Sequence, residues 1–217
     1  MASRQQEKER RRQERQAAEE AATRSAARKR RLQIGGAAVL VVAVIAVIAV
    51  VALAGGGSDT PSQSNLVADA KAAGCTFSSF KSEGRNHTSA KVKYKTNPPT
   101  SGSHNPVPAQ DGIYAPGNEP APENWVHSLE HGRVLFQYKP GTPSADVAKL
   151  RSLAEEKLNG TAAYHVLMFQ NNTKMPTQFA LVAWTKSLTC DKLTPKSEAV
   201  MRSFRKTFTD KGPELIP

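Results

Sequence analysis

Hydrophobic residues are distributed along this 217-residue chain in two different ways. Residues 34–54, IGGAAVLVVAVIAVIAVVALA, form an apolar run of 21 residues without a charge or a proline. A helix of that length spans roughly 30 Å, the thickness of the hydrocarbon core of a bilayer. After residue 65, apolar residues instead alternate with polar ones at helical or strand spacing. The pattern predicts one transmembrane helix at 34–54 and a folded domain at 65–217.

The first half of that domain has weak periodicity. Residues 66–73 have helical spacing and stop at Gly74, a residue that commonly ends helices. Phe77, Phe80 and the alternating KVKYK at 91–95 predict a small strand or an extended pair.

The second half is more regular. RVLFQYK at 133–139 predicts a strand, and a helix follows from Pro143–Ser144 to about Leu158. The runs at 162–170 and 178–186 predict two further strands around a turn at Asn171–Asn172.

A last helix begins with Thr194 as N-cap and Pro195 at its first position, and Val200, Phe204 and Phe208 share its inner face. The order strand–helix–strand–strand–helix predicts a small α+β sandwich.

Charge supports a membrane topology more than a nucleic-acid partner. Residues 1–31 contribute +6 of the formal net charge of +11. The excess therefore lies in an arm, residues 1–33, and not on a basic domain. ARKRR at 27–31 precedes the apolar run, whereas GGGSDTPSQS, in the linker 55–64, has no Lys or Arg. Because basic flanks remain cytoplasmic, we expect the amino terminus inside, near anionic lipid headgroups, and the domain outside.

A cleaved signal peptide is the main alternative to an anchor. Ala52-Leu53-Ala54 resembles a signal-peptidase site, but the apolar run and its basic lead are longer than signal peptides normally have. We therefore expect an uncleaved, single-pass anchor in the cell membrane.

The two cysteines, Cys75 and Cys190, both follow the apolar run. In an oxidising compartment an even pair is usually a disulfide, so we expect a bond that ties the start of the domain to its end. Two free, buried thiols are the alternative.

An irregular stretch, residues 96–124, precedes the most distinctive motif. It contains seven prolines and three glycines in 29 residues, and it carries His104. A stretch of this length within a small domain is either disordered or functional, and the stiff Pro/Gly turns favour an ordered, functional loop.

The motif itself is WVHSLEHG at 125–132, on a short helix predicted between Pro122 and Gly132. Side chains four residues apart share a helix face, so His127 and His131 could bind one ion. With His104 they form a three-imidazole set suited to zinc or copper, and Glu130 is a supporting or alternative ligand. The predicted metal site is thus His104, His127, His131 and Glu130.

Two other interpretations of the motif remain open. The histidines could be structural, with His131 placed against the helix dipole. His-x-x-Glu-His is also an inverted zincin pattern, in which a metallopeptidase would need a downstream carboxylate such as Glu155 or Glu156. The short helix and small domain make an enzyme the less favoured of these classes.

The segments NPPTSGSHNPVP and VHSLEHGRVLFQY, with FALVAWTKSL further on, resemble the bacterial family called domain of unknown function 3105. The resemblance covers roughly residues 65–215. It singles out Thr100, Ser101, Gly102, His104, His127, Glu130, His131 and Gly132. It implies a single-pass membrane protein of the actinobacterial type with a basic tail, and it implies no activity.

Together these observations predict a membrane-anchored extracytoplasmic domain that binds zinc or copper. A non-catalytic envelope scaffold that binds a protein partner through this domain is the alternative.

Overall fold

Four helices and eight strands make up the part of the chain that the computed structural model describes, residues 63–214. The helices are α1 Gln63–Ala72, α2 Pro122–Glu130, α3 Ser144–Glu155 and α4 Pro195–Phe208. The strands are β1 Cys75–Ser79, β2 Gly112–Ile113, β3 Val134–Tyr138, β4 Lys157–Leu158, β5 Thr161–Ala162, β6 Val166–Gln170, β7 Phe179–Ala183 and β8 Lys186–Cys190.

Six of the strands form one mixed sheet in the order β1-β8-β7-β3-β6-β2. β6 runs parallel to both β3 and β2, whereas β1, β8, β7 and β3 pair antiparallel along the sheet. A parallel pair needs a crossover connection, and α3 lies in the connection from β3 to β6. This arrangement confirms the predicted α+β class.

Both faces of the sheet are buried, which explains why β3 is apolar at consecutive positions. All five of its residues are buried. Val134, Phe136 and Tyr138 join one core cluster, with residues of α1, α3 and α4. Leu135 joins a second cluster with Trp125, Val126 and Leu129 of α2. The sheet therefore lies between helices, and α2 packs on its second face.

Several predicted elements were misplaced. KVKYK at 91–95 is not a strand; it is irregular, with Val92 and Tyr94 half-buried and the three lysines exposed. The helix predicted to reach Leu158 ends at Glu155, because Lys157–Leu158 pairs with Thr161–Ala162 in a separate hairpin.

The two predicted β runs also differ from the observed strands. The first forms a sheet strand only from Val166, because Ala163 and His165 adopt positive φ angles of 49° and interrupt the extended chain. The second is broken at Thr185, φ 59°, and β8 begins at Lys186. Alternation alone does not show where a turn reverses the chain.

The beginning of α4 is as predicted. The Thr194 side chain accepts a hydrogen bond from the Ser197 backbone, and the Ser197 hydroxyl accepts one from the Thr194 backbone. This reciprocal pair and Pro195 fix the helix start.

The expected disulfide is present between Cys75 and Cys190. The two residues are directly opposite each other on β1 and β8, with Cα atoms 4.4 Å apart. The bond closes a ring across a sequence separation of 115 residues. Loop-entropy models assign about 4–5 kcal/mol to a ring of that size. It ties the edge strand β1 to the sheet.

No helix within residues 63–214 is long and apolar enough to cross a membrane. The predicted transmembrane segment, the basic arm and most of the linker lie outside the described residues.

The carboxyl end of α2 is closed by a turn at Gly132, whose φ is 80°. The Gly132 N–H donates to the Leu129 carbonyl, and the Arg133 N–H donates to the Ser128 carbonyl. This pair is the Schellman pattern, which satisfies the free carbonyls of a last turn. A Cβ at residue 132 would lie 2.8 Å from Asp210 Cα, so the chain near Asp210 covers the turn closely.

We predict that Gly132→Ala destabilises the protein more than Gly141→Ala does. Gly141 has nearly the same φ, 84°, but a Cβ there would meet no atom within 4 Å. Gly141→Ala, the control, should lower the free energy of unfolding by about 1–2 kcal/mol, the cost of placing a non-glycine residue in the left-handed conformation. Gly132→Ala should lose at least about 1 kcal/mol more, because it also forces backbone apart. Urea unfolding of both variants measures the difference, and equal losses would contradict the close contact.

Candidate metal centre

Hydrogen bonds to α2 fix the backbone of the irregular loop, residues 96–124. The Asn105 N–H donates to the Glu123 carbonyl at 3.0 Å, and the Ala109 N–H donates to the Asn124 carbonyl at 3.1 Å. The Ser128 hydroxyl, one turn further along, donates to the Ala109 carbonyl at 2.9 Å. These bonds lay the segment after His104 along α2.

Glu123 fixes a second part of the loop from the first turn of the same helix. Its carboxylate accepts hydrogen bonds from the Val92 N–H at 3.0 Å and from Lys91 Nζ at 3.2 Å. Burial by itself would raise the pKa of Glu123, but the hydrogen bonds to the carboxylate and the Lys91 charge bring it below its ordinary value. An ionised Glu123 thus holds residues 91–92 against α2.

Two buried imidazoles are oriented by backbone carbonyls. His104 is fully buried, and its Nδ1 lies 2.8 Å from the Gly102 oxygen. His127 is 4 % exposed, and its Nδ1 lies 2.7 Å from the Asn105 oxygen. A carbonyl can only accept, so each Nδ1 carries the proton and donates. In the neutral rings both Nε2 atoms are therefore left with a free lone pair, the form in which histidine binds metals.

Glu130 brings a buried carboxylate to the same place. Its Oε2 lies 2.9 Å from His104 Nε2. The two atoms do not have hydrogen-bond geometry, and this buried nitrogen has no hydrogen-bond partner among the described residues. The other oxygen, Oε1, lies 3.6 Å from Arg85 Nε, on a half-exposed side chain.

His87 completes the group from the solvent side. It is exposed, and its ring centre lies 5.0 Å from that of His104 and 4.9 Å from that of His127. Its position is set by the backbone: the Thr88 N–H donates to the His104 carbonyl, and the His104 N–H donates to the Asn86 carbonyl. Four donor atoms, one each from His87, His104, His127 and Glu130, lie within 4.8 Å of one another. We call these residues the inner group.

His131 belongs to a different set. Its Nε2 lies 2.9 Å from His127 Nε2 and 3.2 Å from Glu214 Oε2. One donor atom from each of His127, His131 and Glu214 lies within 4.8 Å of the others, and we call these residues the outer group. His127 is common to both groups.

The structure thus divides the predicted ligand set. It brings His104, His127 and Glu130 together and places His131 in the outer group. The sequence pattern did not point to His87 or to Glu214. Neither residue stands in a periodic or spaced pattern, so no local signal identified them.

Other residues whose side chains could bind a metal lie elsewhere. Glu155 is 3.8 Å from Arg151, and Glu156 bonds to Arg202, so neither supplies a carboxylate to the motif. His165, expected on a strand, precedes β6 and pairs with Asp210. Met168 and Met175 are buried in the two core clusters.

Burial is the largest influence on the two histidines of α2. It lowers the pKa of His127, and the nearby His104 and His87 lower it further, against the bond to the Asn105 carbonyl and the Glu130 charge. Burial also lowers the pKa of His131, with His127 and Arg133 acting in the same direction and Glu214 opposing. Both rings are therefore kept neutral, the state that coordinates metals.

The sequence profile of one family matches residues 86–215, and that family is described as a protein of unknown function (DUF3105). The match includes every residue of the inner and outer groups. No curated protein is significantly similar to the chain. No solved structure is significantly similar to it.

We predict that the metal-free protein loses stability as pH falls below about 6.5. The folded state lowers the pKa of both His127 and His131, so the unfolded chain takes up more protons on acidification. The contribution of these two neutral rings to the free energy of unfolding is complete above about pH 6.5. It is lost as the pH falls from there to the pKa that each ring has in the folded state. Urea unfolding between roughly pH 7.5 and 5.5, with a chelator present, measures this loss. His127→Gln should flatten the dependence. A stability that stays constant or rises on acidification would contradict it.

Proposed function

The chain belongs to the DUF3105 family, whose function is unknown, and from the geometry of the inner group we propose that it binds one divalent transition metal ion, zinc or Cu(II). The observation that carries the proposal is the state of His104 Nε2. This nitrogen is buried, faces a buried carboxylate at 2.9 Å, and has no hydrogen-bond partner among the described residues. A buried polar atom without a partner is unfavourable, and an ion bound by both groups would give each of them a partner.

The orientation of the rings supports the same conclusion. Histidines that bind metals usually donate their second ring nitrogen to a carbonyl or carboxylate, which fixes the ring and its tautomer. His104 and His127 each donate in this way, to Gly102 and Asn105. The site would therefore be largely pre-organised before an ion enters.

The donor types favour zinc or Cu(II) over softer or harder ions. Both cysteines are in the disulfide, so the inner group offers imidazole and carboxylate without thiolate. Imidazole suits zinc and copper, whereas calcium and magnesium prefer oxygen ligands throughout.

The spacing fits a closed site after a small adjustment. Four ligands with bonds of about 2.1 Å to zinc stand roughly 3.4 Å apart. The inner donors lie within 4.8 Å of one another. Of the four ligands, exposed His87 has the most freedom to move inward. Four protein ligands are typical of sites that hold an ion without catalysis.

A peptidase is less well supported. In that mechanism Glu130 would activate water on an ion bound by His127 and His131. Its carboxylate instead faces His104 and Arg85.

We predict that the full-length chain, purified in detergent and stripped of metal, binds one equivalent of zinc or Cu(II). His104→Gln, His127→Gln and Glu130→Gln should each weaken binding by about 100-fold or more, because each removes a ligand. His87→Gln should weaken it less, since His87 is the exposed ligand. A competitive titration against a fluorescent metal indicator measures all four.

His165→Gln is the matched control, because His165 pairs with Asp210 and belongs to neither group. It should leave the affinity unchanged. If the parent chain takes up no ion at micromolar concentrations, the cluster is a structural one and the scaffold interpretation is preferred. If Glu130→Gln binds as the parent does, any ion lies elsewhere.

We also propose that the domain is anchored in the cell membrane and lies outside the cytoplasm, where an envelope protein could meet it. The support is the 21-residue apolar segment with ARKRR before it and no basic residue immediately after it. The disulfide adds to this, since such bonds persist in oxidising compartments. The basic arm would then rest against anionic headgroups.

We predict that protease added to intact spheroplasts removes an epitope tag at the carboxyl terminus and spares one at the amino terminus. Lysed cells, in which both tags should be lost, provide the control. Protection of the carboxyl-terminal tag in intact cells would reverse the orientation. A mature amino terminus near Gly55 would show that the apolar segment is a cleaved signal.

A further inference from the structure

The two groups share His127, and their other side chains differ in solvent exposure. In the inner group His87 is exposed, whereas His104 is fully buried and Glu130 is 2 % exposed. In the outer group the side chains of His131 and Glu214 are 10 % and 40 % exposed. A cleft of about 190 Å³, lined by Pro108, Ala109, Gln110, Asp111, Ser128, His131 and Arg133, adjoins His131. His131 and Glu214 are therefore more accessible than His104 and Glu130, the two buried ligands of the inner group.

One ion cannot occupy both positions at once through His127. Its Nδ1–H is committed to the Asn105 carbonyl, so it has one free lone pair, on Nε2. That nitrogen contacts His131 Nε2 at 2.9 Å and is also the atom available to the inner group. His127 Nε2 can therefore bind one ion at a time, and the donor atoms that lie near it form two separate sets, one in the inner group and one in the outer group.

The outer carboxylate is held in place by a defined piece of backbone, residues 209–214, which we call the strap. The Asp210 N–H donates to the Gly132 carbonyl, and the Glu214 N–H donates to the Glu130 carbonyl. Gly212 lies so close to α2 that a Cβ there would be 2.0 Å from the backbone carbonyl oxygen of Glu130. The strap thus uses free carbonyls at the helix end to bring Glu214 to His131.

We propose that the outer group is a transient position through which the ion enters and leaves the inner site. The inference rests on the proposed metal binding. His127 would keep its bond to the ion while His131 and Glu214 are exchanged for His104 and Glu130. Stepwise replacement avoids moving a bare ion into a buried site, which would cost much of its hydration free energy. In the outer position His131 would carry its proton on Nδ1.

This arrangement suits a domain that exchanges metal with a small chelate or another metal-binding protein. A permanently structural ion would gain nothing from a second, accessible set of ligands that competes for His127. The ligand class is thus a labile divalent ion, delivered or removed at the face formed by His131 and Glu214.

The test compares rates with affinity in the full-length chain. Loading of the metal-free chain and release from the zinc-loaded chain to a chromogenic chelator are followed by stopped flow, over a series of chelator concentrations. His131→Gln and Glu214→Gln should slow both processes by the same factor, about tenfold or more. The dissociation constant should then stay unchanged, because a route that speeds both directions equally does not alter an equilibrium.

Gly212→Ala tests the strap without removing a ligand side chain. It should slow exchange in the same way, since the added methyl group pushes the strap from the Glu130 carbonyl. Gly141→Ala is the matched control, because a Cβ there meets no atom within 4 Å. It should exchange zinc at the parent rate.

Three results would overturn the inference. Unchanged rates in His131→Gln and Glu214→Gln would show that the outer group is not on the route. A loss of affinity in these variants, with loading unaffected, would make the two residues permanent ligands. If the parent chain binds no zinc or Cu(II), the proposed function fails with it, an outcome that the initial titration distinguishes from the other two.

Discussion

Two imidazoles and a carboxylate are buried together at the end of one short helix, and much of the structure around them serves to satisfy these groups. Placing polar groups away from water costs several kcal/mol unless they find partners. His104 and His127 obtain theirs from the carbonyls of Gly102 and Asn105. Those carbonyls are available only because the loop between the sheet and α2 follows one particular path.

The path of that loop explains its composition. A helix or strand would use its carbonyls in its own ladder, whereas an irregular chain can present them to side chains. Glu123 and the backbone of Asn124 bind residues 92 and 109 on either side of His104. The prolines and glycines of residues 96–124 are thus consistent with an ordered loop whose backbone groups orient the two buried imidazoles.

The same helix end accounts for the outer group. A helix leaves its last carbonyls unpaired, and here the carbonyls of Glu130 and Gly132 are taken by the strap. The hydrogen bonds that satisfy the end of α2 therefore also bring Glu214 beside His131. Stability and the proposed metal exchange depend on the same few hydrogen bonds, which explains why small residues are needed at positions 132 and 212.

The sequence by itself determined what depends on local pattern or on residue type. The start of α4 at Thr194 and Pro195, the start of α2 at Pro122 and the strand at 134–138 follow from spacing and propensity, as does the α+β class. The chain has two cysteines, so a disulfide within it could only join Cys75 and Cys190. The sequence pointed to His104 because it lies in a stiff Pro/Gly loop, and to His127 because it lies on a predicted helix.

Only the tertiary structure decided which of the histidine and glutamate side chains meet. His87 and Glu214 are brought to the motif by backbone bonds to His104 and Glu130, residues 17 and 84 positions away in the sequence. His131 lies at the C-cap of α2, where its Nε2 contacts His127 and Glu214. Such contacts depend on the path of the whole chain, and no spacing within a single segment encodes them.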